Sequence, residues 1–118
     1  MNKKDIENRL IEFSVKVIEC AVNQEKHPAI LHLKDQVIRS STATALNYAE
    51  AQSAESRKDF IHKLGIVMKE LRETQASLRI ISRFSFSPDK IELSDLLREN
   101  DELLAIFHKT IMTAKKNA

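Results

Sequence analysis

An all-α fold, and within it an antiparallel up-down-up-down four-helix bundle, follows from three observations on this 118-residue sequence. Apolar residues recur at alternating fours and threes through four long segments, the spacing that gathers them on one face of a helix. Helix breakers are nearly absent, with 1 Gly and 2 Pro, and both prolines fall between the four segments. Hydrophobic residues make up 42% and charged residues 31%, the balance expected of amphipathic helices. The length suits a single domain over residues 1–118 with one core.

The first helix should begin between Lys3 and Ile6 and end near Val22, because Ile6, Leu10, Phe13, Val17 and Cys20 form an unbroken stripe. Ile11, Val15, Ile18 and Val22 form a second stripe beside it, wider than one bundle seam requires. Pro28 suits the first position of the second helix, where its missing N–H costs nothing. There, Ile30, Leu33, Val37, Ser41, Thr44 and Tyr48 make the main stripe, with Leu31, Ile38, Thr42, Ala45 and Ala49 alongside. Residues 40–45 have poor helix propensity, so tertiary contacts must hold them helical.

After a turn between Ala51 and Glu55, Ser56 and Asp59 have the form of a capping box that opens the third helix. Phe60, Leu64, Val67, Leu71, Thr74, Leu78 and Ile81 then hold the heptad spacing without a fault. Gly65 costs about 1 kcal/mol inside that helix, so a close contact is expected to compensate it. Ser85, Ser87 and Pro88 should end the third helix. The fourth starts at Ser87 with Pro88 as its first residue, or at Ser94 as a later cap. Its stripe is Leu93, Leu97, Asn100, Leu104, Phe107 and Ile111, with Leu96 and Leu103 beside it and Asn100 as a buried register device.

Chemistry is missing. No Gly-rich phosphate loop, HExxH, ExxH or CxxC occurs, and His27, His32, His62 and His108 stand singly. The expectation is therefore a protein that is not an enzyme, with no cofactor, no metal and no small-molecule substrate. Cys20, on the core stripe, reads as a small buried hydrophobe. One cysteine closes no intramolecular disulfide, and no apolar run reaches the roughly 20 residues that cross a bilayer. A cytoplasmic protein without a membrane partner is the expectation.

Charge is unevenly placed. Residues 1–56, 57–83 and 84–118 carry −1, +4 and −1, so the third helix holds the whole net excess. On a wheel at roughly 100° per residue, Lys58, Lys69, Arg72, Arg79 and Arg83 share a narrow outward stripe. Such a line of cations fits RNA or DNA phosphates, although with 5% aromatics there is no stacking platform for single strands. Glu92, Asp95, Glu99 and Glu102 form an acidic stripe on the fourth helix, and the two stripes could instead meet between subunits or simply be solvated. The double apolar stripes of the first two helices independently favour a homo-oligomer.

Between Gln36 and Glu73 the residues resemble the four-helix-bundle proteins encoded in 23S rRNA intervening sequences. The resemblance rests on Gln36-Val-Ile-Arg39, Asn47-Tyr-Ala-Glu50, Ser56-Arg-Lys-Asp-Phe-Ile61, Leu64 and Leu71-Arg-Glu73, with Ala43, Ala45 and Ala51 departing from the family's Ser, Pro and Gly. It implies a bundle that assembles into a ring, typically a pentamer, with no known enzymatic activity. Accessory variability proteins of diversity-generating retroelements are similar, and imply binding of nucleic acid and a reverse transcriptase through a basic ring. Arg39, Asn47 and Glu50 are the matched polar positions, expected either as a hydrogen-bonded network in or beside a subunit interface or as a solvated helix face. The alternative to a nucleic-acid role is a protein-protein interaction scaffold.

Overall fold

A computed structural model of the chain describes residues 1–22, 27–84 and 89–117. Among them the chain forms α1 (Lys3–Val22), α2 (Pro28–Ala51), α3 (Arg57–Ser82) and α4 (Lys90–Lys116), and no strand. Local chemistry sets each start. Asn2 and Asp5 cap α1 reciprocally, the Asn2 side chain accepting from the Asp5 amide and the Asp5 carboxylate from the Asn2 amide. Pro28 occupies the first turn of α2 behind His27, whose Nδ1 accepts from the Ala29 amide. Ser56 Oγ accepts from the Asp59 amide at 3.0 Å, the forward half of the expected box.

α4 departs from both expected starts. Asp89 is its cap, accepting from the Glu92 amide at 2.9 Å, and Ser94 lies inside the helix. Ser85, Ser87 and Pro88 lie outside the described residues. Asp outranks Ser94 here because its carboxylate also meets the positive end of the helix dipole.

Each helix packs on two neighbours, and the diagonal pairs α1/α3 and α2/α4 make no close backbone approach. Side-chain pairs run in opposite directions along adjacent helices. Arg39 reaches Glu70 and Ser40 reaches Thr74, while Glu50, a good ten residues further along α2, reaches back to Lys63. The result is an antiparallel rod of 48 × 21 × 20 Å.

The main stripes of α1 to α3 supply the core, with Leu10, Leu64, Val67 and Leu71 fully buried and Leu33 and Phe60 half-buried at its edge. Tyr48 meets Phe107 edge to face at 5.5 Å between ring centroids. On α4 the buried line is Leu93, Leu96, Asn100, Leu103 and Phe107, whereas Leu97, Leu104 and Ile111 are half-buried. The helix is rotated toward the residues the periodicity had placed beside the stripe, because two neighbours flank it and both share its apolar face.

A polar layer crosses the middle of this core. Ser14 Oγ donates to the Leu10 and Ser41 carbonyls, Ser40 and Thr74 hydroxyls meet at 2.7 Å, and Asn100 Nδ2 donates to the Leu71 carbonyl. These contacts hold the weakly helical Ser40–Ala45 stretch, as its composition required. Gly65 differs from expectation: it is exposed, and a Cβ built there meets nothing within 4 Å, so no contact among the described residues compensates it.

Candidate nucleic-acid interface

Helical periodicity places the cations of α3 on the side away from the core. Lys58, Lys69, Arg72, Arg79 and Arg83 are all exposed, and among the described residues none lies within ion-pair distance of a carboxylate. At about 1.5 Å per residue the line runs nearly 40 Å along the rod. Arg79 and Arg83 flank a shallow notch floored by Ala76 and Ile80. Two of the three acids of α3 are turned elsewhere, since Glu70 is buried and, like Glu73, faces Arg39 of α2, while Asp59 is half-buried in the first turn.

The acidic stripe of α4 is engaged within the chain. Arg9 of α1 grips Glu99 at 2.6 Å and reaches Glu102 at 3.4 Å, and Asp95 pairs with Arg98 at 3.4 Å. The hydrogen bond to Glu99 raises the Arg9 pKa above its ordinary value, against the opposing effect of partial burial. Beside it Glu12, Lys16, Glu92, Asp95 and Glu99 rim a cleft between α1 and α4, with Phe13 and Leu96 on its walls.

Within the chain, Arg39, Asn47 and Glu50 each have a different partner. Arg39 donates to Glu70 at 2.9 Å and to Glu73, bonds that raise its pKa; Asn47 Nδ2 donates to the Ala43 carbonyl at 2.8 Å; Glu50 lies 3.8 Å from Lys63. The family-matched Arg39 and Glu73 thus meet each other across the α2/α3 seam.

The second apolar stripes of α1 and α2 border one seam. Ser14 and Ser41 join the helices there, and outside them Ile11, Val15 and Leu31 remain 40–45% exposed. Val22, at the C-terminal end of the α1 stripe, is 62% exposed. Sequence reasoning had the stripes but missed the cations at one pole of the rod, Lys3, Arg57 and Lys109, because they come from three separate helices. Among the described residues no three His, Cys, Asp or Glu side chains are grouped to hold a metal ion, and no helix is long and apolar enough to cross a membrane.

Four amphipathic helices, each packed along its length on two neighbours, define the class of antiparallel four-helix-bundle proteins. Within that class the chain belongs to the 23S rRNA-intervening sequence protein family, whose pattern matches residues 2–109. A crystal structure of a protein with unknown function from the S23 ribosomal protein family of Bacteroides thetaiotaomicron is similar at 27% identity and TM-score 0.84, over 95% of this chain and 99% of that one. No curated protein matches the chain.

Proposed function

We propose that the protein is a non-enzymatic, self-assembling helical bundle that binds RNA or DNA by its phosphates along α3. One observation carries this reading: among the described residues the five stripe cations are exposed without carboxylate partners, while three of the four acids of the α4 stripe already have cations within the chain. That asymmetry disfavours stripe-to-stripe contact between subunits, since a second α3 would have to displace Arg9 and Arg98. Assembly is instead assigned to the apolar α1/α2 seam, and the subunit number implied by family resemblance is five, in the cytoplasm. The same seam supports the second reading, a protein-interaction scaffold, because an exposed apolar strip serves a foreign partner as well as a second copy.

Binding of a generic RNA duplex at a series of salt concentrations separates the readings. If all five cations neutralise phosphates, log K falls against log salt with a slope of about −4.5, and Lys69→Ala/Arg72→Ala/Arg79→Ala reduces it to about −2. The molar mass by light scattering should stay unchanged in that variant. Salt-independent binding, or no binding at low salt, removes the nucleic-acid reading and leaves the scaffold.

A further inference from the structure

One pole of the rod, formed by the start of α1, the α2–α3 turn and the end of α4, collects positive charge from three helices. Two adjoining depressions of about 380 and 370 Å³ open there. Lys3, Ser56 and the end of α2 line the first; Lys109, Thr110 and the end of α4 line the second; Arg57 and Phe60 line both. Among the described residues no carboxylate lines either, and Lys3, Arg57 and Lys109 form no ion pair. Like charges brought together without counter-ions repel, so an anion that bridges them is favoured. Phe60 is half-buried, its ring fixed at the edge of the core.

An anion alone would leave the aromatic wall unused, and an apolar ligand would leave the cations unused. We propose that this pole binds a nucleotide, its phosphate held by the planar guanidinium of Arg57 between Lys3 and Lys109, and its base against Phe60. The pole is separate from the α3 stripe and does not depend on it, although Lys58 adjoins both. A free nucleoside monophosphate and the 5′-phosphorylated end of a nucleic-acid strand present the same chemistry.

Calorimetric titration at low salt with AMP, adenosine and inorganic phosphate tests the site. AMP should bind more tightly than either fragment. Arg57→Gln/Lys109→Gln should weaken AMP at least about tenfold, the equivalent of one lost charge-assisted hydrogen bond. Both residues are exposed, so an unchanged circular dichroism melt checks the fold. Phe60→Leu should weaken AMP while leaving phosphate binding intact. Tetranucleotides with and without a 5′-phosphate separate the two sources: a phosphorylated strand that binds more tightly than AMP assigns the pole to strand ends, and one that binds no better assigns it to free nucleotide. Lys69→Ala/Arg72→Ala/Arg79→Ala should leave AMP binding unchanged, so failure of the stripe and failure of the pole are told apart. AMP that binds no better than phosphate, or equally well to Arg57→Gln/Lys109→Gln, overturns the proposal.

Discussion

Arg39→Met removes a charge from the α2/α3 seam while keeping an apolar stem of similar length. Its partner Glu70 is only 11% exposed along the side chain, so the substitution leaves a carboxylate that water reaches poorly and no cation compensates. At the 2.9 Å separation of the pair, Coulomb attraction is of the order of 6 kcal/mol for an effective dielectric constant of about 20. Much of that is offset by desolvation, and the Arg39 side chain is 53% exposed, which screens it further. The expected loss is about 2 kcal/mol, below the ~3–5 kcal/mol of a fully buried broken pair. For a domain of this size that lowers Tm by about 8 °C. Urea unfolding followed at 222 nm, at fixed protein concentration, gives the number directly. Glu70→Met and the double variant complete a cycle whose coupling should be about 1–2 kcal/mol. A single-variant loss under about 0.5 kcal/mol, or strict additivity, would refute the assignment of Arg39 to a buried seam within the chain.

Gly65→Ala should stabilise the chain by about 1 kcal/mol, read as a raised urea midpoint, because open space surrounds the new methyl and helix propensity alone decides the sign. Tyr48 is the only tyrosine and there is no Trp, so absorbance at 295 nm reports it alone. Burial, reinforced by nearby Glu7 and partly opposed by a hydrogen bond with Gln52, raises its pKa above the ordinary value of 10.0. The phenol therefore ionises more readily in the unfolded chain: its contribution to stability is complete below pH 10 and is lost as pH rises through the folded pKa, and a native midpoint at or below that of the urea-unfolded chain would contradict this. Val15→Asp, at a residue 40% exposed on the α1/α2 seam, should reduce the molar mass in light scattering without lowering helix content, whereas an unchanged oligomer would place the interface elsewhere.

The separation between what was legible and what was not follows the range of the interactions. Periodicity is a local property, so the stripes of Ile6 to Cys20 and Phe60 to Ile81 were readable, and so were Pro28 and Ser56 at the helix starts. The start of α4 was misread because Ser94, inside the helix, resembles a cap, while Asp89 acts at the first turn. On the α3 stripe, the residues and their outward direction were available from the wheel. Their lack of carboxylate partners was not, since a wheel does not show which acids on neighbouring helices come within reach.

Other pairings depend on how the antiparallel helices are offset along the rod. Arg39 meets Glu70 and Glu73, Arg9 takes Glu99 and Glu102, and Lys3, Arg57 and Lys109 surround one pole, through contacts tens of residues apart in the chain. Helix count, the starts of α2 and α3 and the buried faces of α1 to α3 were determined by the sequence alone, because each rests on residues within about one turn of one another, whereas the cap and rotation of α4 were not. Which charges are neutralised and which remain available was decided only by the tertiary structure, because electrostatic partnership acts through space and is set by the packing of whole helices.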